Sequence, residues 1–165
     1  MVTAASGAVV VDVDDVSGAD NVPGDERMAD WVNQAVVAAS GDSQRPREVS
    51  IRIVSADEIH TLNRDYRQRD KPTNVLSFPA GEISGLPDDE SLMLGDIVVC
   101  ADVVAAEAKE QGKDIDDHWA HMLVHGTLHL LGHDHMNDVE AEQMESLEIH
   151  ILSGFGVSNP YFSTN

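Results

Sequence analysis

Apolar residues recur along this chain with two different periods, which predict strands interleaved with helices. Alternation at Val49, Ile51 and Ile53, with Ser50 and Arg52 between them, predicts a half-buried strand. Spacings of three and four through Met28, Trp31, Val32, Ala35, Val36 and Ala39 predict an amphipathic helix over 25–39. Another helix should start after Ser55, whose hydroxyl, with Glu58 three positions on, can satisfy free N–H groups of a first turn. Its buried stripe is expected at Ile59, Leu62 and Tyr66, with Asn63 and Arg67 away from the centre of that stripe. Apolar runs at 8–13, 75–78 and 94–100 predict three further strands, and Pro79 closes the second. Helices are expected over 102–111, stopped by Gly112, and over 114–131, stopped by Gly132. Asn137 with Glu140 opens a last helix that turns Met144, Leu147 and Ile151 inward.

A length of 165 residues suits one domain, and 42% apolar residues suffice for a core. The one cysteine, Cys100, excludes an internal disulfide and fits a reducing compartment. Residues 1–13 carry no Lys or Arg, so the basic opening of a secretory signal is missing, and no apolar run is long enough to cross a bilayer. A soluble cytoplasmic protein without membrane association is expected. Segment 1–24 is acidic and rich in Gly, Ala and Ser; it is expected to be partly flexible, with a single candidate strand. The segment 80–91, with its glycines, proline and acids, reads as a long loop of the kind that often carries function.

A net charge of -20 disfavours nucleic acid as a partner, but the charge is unevenly placed. Arg45, Arg47, Arg52, Arg64, Arg67, Arg69 and Lys71 are seven of the ten bases and fall within 27 consecutive residues. They either form a local positive site or pair with Glu48, Asp57, Glu58, Asp65 and Asp70 beside them.

The strongest chemical signal lies in the helix over 114–131. At 100° per residue, His118, His121, His125 and His129 fall within an arc of about 80°. His125 and His129, four apart, can converge on one point, and a chain reversal at Gly132 brings His133 or His135 to the same place. His135 fits better, because the spacing His125, His129, Gly132, His135 matches the tri-histidine zinc signature of metzincin peptidases. Those enzymes carry a glutamate directly after the first histidine as general base, and here Gly126 stands there. The residues therefore point to metal-assisted hydrolysis other than proteolysis. Three neutral ligands leave a zinc ion doubly positive with an open fourth position, suited to acidifying water and attracting an anionic substrate. His118, His121 and Asp134 read either as orienting partners of the ligands or as ordinary structural residues.

The string over 125–135, preceded by His118-Trp119-Ala120-His121, resembles the metal motif of the YbeY family of bacterial endoribonucleases. Two more blocks carry the resemblance: Leu62-Asn63-Arg64-Asp65-Tyr66-Arg67 continuing into Asp70-Lys71-Pro72-Thr73-Asn74-Val75-Leu76-Ser77-Phe78-Pro79, and Leu94-Gly95-Asp96-Ile97-Val98-Val99-Cys100. The likeness covers roughly residues 28–160. It implies an α+β fold, a single domain over 25–160 with a small mixed β-sheet flanked by helices and a zincin-like metal helix, followed by a tail at 161–165. It implies one zinc ion per chain on His125, His129 and His135, with Arg67 as the functional arginine facing the metal cleft. It further implies cleavage of single-stranded RNA, maturation of the 3′ end of small-subunit ribosomal RNA and ribosome quality control. The implied partners are ribosomal proteins and an Era-type GTPase. Two rival readings are a ribosome-assembly factor with a structural metal and a metal-dependent hydrolase of another substrate.

Overall fold

The computed structural model describes residues 9–41, 46–80, 92–134 and 136–161. The expected long loop lies almost entirely outside the described residues, as do Arg45 and His135. Four strands, β1 (Val9–Asp15), β2 (Arg47–Val54), β3 (Val75–Pro79) and β4 (Leu92–Cys100), form one sheet in the order β1-β2-β4-β3. β1 runs parallel to β2 and β2 parallel to β4, while β3 joins β4 antiparallel and forms an edge. This is the mixed sheet of the expected α+β domain.

Five helices complete the fold: α1 (Asp25–Ser40), α2 (Ala56–Arg67), α3 (Ala101–Gln111), α4 (Ile115–Leu130) and α5 (Asp138–Ser153). The period-two pattern of the strands decides where they pack. Val49, Ile51, Ile53, Ile97 and Val99 join Met28, Val32, Leu123, Leu128, Met144 and Leu152 in the main core beneath α1, α4 and α5. The alternate residues Val54, Leu76, Val98 and Cys100 meet Ile59 of α2 in a smaller core on the opposite face. α4 contacts the sheet, α1, α3 and α5, so it is buried on almost every side. That placement explains its nearly continuous run of apolar residues, which no single stripe would require.

Two expectations for α2 need correction. Tyr66 is 60% exposed, whereas Asn63 is almost fully buried. α2 ends beside the edge strand β3, so the last position of its stripe reaches Phe78 and no further into the core. Asn63 is buried because its side-chain N–H donates to the Lys71 carbonyl at 2.9 Å and its own carbonyl accepts from Arg69 N–H at 3.2 Å. A polar side chain there fastens the chain that leaves the helix.

Candidate metal centre

α4 begins as the sequence predicts: the Asp114 carboxylate accepts from the N–H groups of Asp116 at 2.9 Å and Asp117 at 3.4 Å. At its other end Gly132 adopts φ +92°, and His133 N–H returns to the Leu128 carbonyl at 3.0 Å. This left-handed reversal turns the chain back over the last turn of the helix.

Gly126 faces the sheet. A Cβ there would lie 3.0 Å from Ile97 Cγ2, 3.2 Å from Ser77 Oγ and 3.3 Å from Val75 Cγ2. The Ser77 hydroxyl donates to the Gly126 carbonyl at 2.7 Å. The position that carries the general base in zinc peptidases is thus closed against β3 and β4, with no room for a glutamate side chain.

The four histidines divide by partner. His118, buried, pairs through Nε2 with Glu107 of α3 at 2.9 Å. Burial is the main influence on its imidazole and holds its pKa below the usual value, with the Glu107 hydrogen bond and charge acting against it. His121 Nε2 and His125 Nδ1 both approach Glu148 of α5, each at 2.8 Å, on different carboxylate oxygens. Tyr161, expected at the start of a C-terminal tail, donates its hydroxyl to Glu148 Oε2 at 2.6 Å.

Glu148 has no exposed side-chain surface. Burial is the largest single influence on it and acts upward, but hydrogen bonds from His121 and His125, the charge of His125 and the Tyr161 hydroxyl together outweigh burial and hold the carboxyl at about 2. Burial, then the Glu148 hydrogen bond and charge, push the Tyr161 phenol up. An ionised carboxylate only accepts, so His121 Nε2 and His125 Nδ1 each carry the proton of their hydrogen bond. With that proton on Nδ1, the neutral form of the His125 ring presents its lone pair at Nε2.

That nitrogen stands 3.1 Å from Nε2 of His129. Two imidazole nitrogens bonded to one tetrahedral zinc at the usual lengths are about 3.3 Å apart, so this donor pair fits a metal. Ligand atoms of His121, His125 and Glu148 also lie within 4.8 Å of one another, and this group could hold a metal ion as well. His125 belongs to both arrangements. Of the three expected ligands, the fold brings His125 and His129 together, and His135 lies outside the described residues.

Arg67 ends α2 beside the edge strand. Its Nη2 donates to the Ser77 carbonyl at 2.7 Å, its Nη1 to the Tyr66 carbonyl at 3.1 Å, and its guanidinium lies 4.8 Å from the centre of the Phe78 ring. Ser77 therefore connects it to the helix turn that carries His125. The acidic neighbours offered as alternatives are engaged elsewhere, Asp65 with Arg64 at 3.1 Å and Asp70 with His60 at 2.7 Å. Among the described residues Arg67 forms no ion pair.

The sequence reading did not find Glu148 or the role of Tyr161. The signal for Glu148 was present: an acid four residues after Met144 and three before Ile151 lies on the apolar stripe of its helix.

Residues 15–156 match the family model described as Endoribonuclease YbeY. A relative of that name from Halorhodospira halophila is 56% identical over 146 residues, covering 88% of this chain and 92% of its own. Another from Alcanivorax borkumensis is 47% identical over 152 residues, covering 92% of this chain and 85% of its own. The fold is similar to the solution structure of TM1509 from Thermotoga maritima, with a TM-score of 0.52 and 23% identity over 93% of this chain and 99% of that one. With so much of its length matched at this identity, the chain belongs to the Endoribonuclease YbeY family.

Proposed function

We propose that this protein is a zinc-dependent endoribonuclease that cleaves single-stranded RNA and acts on small-subunit ribosomal RNA at its 3′ end and in ribosome quality control. Family membership supports the reaction class. The observation that carries the metal assignment is the approach of His125 Nε2 to His129 Nε2 at 3.1 Å, with Glu148 behind His125. His125, His129 and His135 are the ligands in this reading, holding one zinc per chain, and Glu148 orients His125 by fixing its proton on Nδ1. A buried carboxylate already accepting from three donors is better placed to orient a ligand than to become one.

When bound, zinc supplies a Lewis acid for a phosphoryl oxygen and acidifies water. The chain's own contribution is positioning and charge. Arg67, held by two carbonyls and by no acid among the described residues, offers its remaining N–H groups to phosphate oxygens and neutralises charge that grows on phosphorus. Gly126 brings no carboxylate to the reacting centre, so another group must take the nucleophile's proton, whether that nucleophile is water or the ribose 2′-hydroxyl.

Among the described residues no helix is long and apolar enough to cross a membrane. Cytoplasmic action, with ribosomal proteins and an Era-type GTPase as partners, completes the proposal.

The test is cleavage of single-stranded RNA by the zinc-loaded protein, with His129→Ala in parallel. Cleavage by the parent that is lost in the variant supports the reading, while equal cleavage by both identifies a contaminant and removes it. The RNA ends define the nucleophile: a 2′,3′-cyclic phosphate requires attack by the 2′-hydroxyl.

A further inference from the structure

Tyr66 is 60% exposed at the end of α2, and its ring meets Phe78 edge-on, with centroids 5.5 Å apart and planes at 76°. Arg67 covers Phe78 from a distance of 4.8 Å. We propose that Tyr66 and Phe78 form a platform on which one base of a bound single-stranded RNA stacks, so that the adjoining phosphate rests on Arg67. This inference builds on the endoribonuclease reading above and names how that site holds its substrate.

Three observations favour a nucleobase as the occupant. First, the aromatic pair is rigid at one end and open at the other. Phe78 is fixed on β3, and Tyr66 presents most of its ring to solvent, as base stacking requires. Second, the cations that follow it have no acidic partner among the described residues. Arg67, Arg69 and Lys71 form no ion pair among the described residues, whereas Arg52 is taken by Asp14 and Glu58, and Arg64 by Asp65. A backbone phosphate would find positive charge there in a protein that is otherwise strongly acidic.

Third, the groove next to the platform selects for the base and against the phosphate. It has a volume of about 600 Å³ and is lined by Leu62, Tyr66, Phe78 and Val98 with Asp12 and Asp96, and its one cation, Arg52, is held by Asp14 and Glu58 in the same lining. Carboxylates repel phosphate but accept hydrogen bonds from the N–H edges of bases. The base is thus directed inward and the phosphate outward to Arg67. Ser77 links the two ends of the path, because its carbonyl holds Arg67 and its hydroxyl holds the turn of α4 that carries His125.

The test is fluorescence anisotropy of a labelled single-stranded RNA oligomer with the full-length protein, over a series of salt concentrations. Tyr66→Ala is expected to weaken binding about tenfold with an unchanged salt slope, and Tyr66→Phe to bind like the parent. Circular dichroism checks that both variants are folded. In Tyr66→Trp, indole emission should be quenched by the intact oligomer and not by one lacking bases; Trp31 and Trp119 are buried and contribute a constant background. Parental affinity in Tyr66→Ala, or emission from Tyr66→Trp that ignores the bases, overturns the platform. If the parent still cleaves RNA in that case, the endoribonuclease reading survives; if the parent neither binds nor cleaves RNA, both fall.

Discussion

Glu148 of α5 accepts from Nδ1 of His125 of α4 at 2.8 Å, across the packed interface of the two helices. Its second oxygen accepts from His121 and Tyr161, so one buried carboxylate fixes two imidazoles and the end of the described chain. Glu148→Ala would leave those donors buried without an acceptor. Loss of about 3 kcal/mol of stability is expected in urea unfolding. Zinc affinity should fall about 10- to 100-fold in a competition titration, because His125 loses the partner that sets its proton. Unchanged values in both measurements would remove the orienting role.

Gly126 and the sheet are in contact so close that a methyl group already requires the neighbours to move. Gly126→Ala gains about 1 kcal/mol of helix propensity but overpacks Ile97 and Ser77, and a net loss of about 1 kcal/mol is expected in thermal or urea unfolding. Gly126→Glu, which restores the peptidase residue in sequence, should fail to fold and give no peptidase. A stable, soluble Gly126→Glu protein would show that the packing at this position is looser than described.

Arg67 is exposed and, among the described residues, rests on two carbonyls and the Phe78 ring, so its removal should leave the fold intact. Arg67→Ala is expected to lower kcat on single-stranded RNA about 100- to 1,000-fold with unchanged zinc content. Arg67→Lys should recover little, because a single ammonium cannot grip a carbonyl and two phosphoryl oxygens together. Full activity in Arg67→Ala would reduce this residue to a tie for the edge strand.

His118 gives the protein a pH dependence of known sign. Burial holds its pKa in the fold below the usual 6.5, so the unfolded chain takes up a proton that the native state resists. Its contribution to stability is present above 6.5 and is lost as pH falls from there towards the lowered native value. His118→Gln should show a weaker loss of melting temperature than the parent between pH 7.5 and 5.5. Parallel curves for the two proteins would contradict this.

The sequence made the elements and the histidine helix legible because both depend on local spacing. Asp114 as cap, Gly132 as reversal and the four-residue step from His125 to His129 are set within one helix and needed no tertiary knowledge. Glu148 escaped because an acid on an apolar stripe is ordinarily discounted; its burial becomes intelligible only when α5 is laid against the imidazoles of α4. Asn63 and Tyr66 exchanged their expected environments for a similar reason, since the length of β3 decides how far the stripe of α2 is covered. The clustering of bases was visible, but which of them keep an unopposed charge depended on the pairings of Arg52, Arg64 and His60 in three dimensions.

In the proposed site His125 and His129 use facing Nε2 atoms to hold one zinc ion. The most direct test of this is zinc stoichiometry, measured by elemental analysis after dialysis, in the parent, His129→Ala and His121→Ala. The account predicts one zinc per parent chain, none in His129→Ala and retained zinc in His121→Ala. Zinc that persists in His129→Ala and disappears in His121→Ala would contradict it and move the metal to the group of His121, His125 and Glu148.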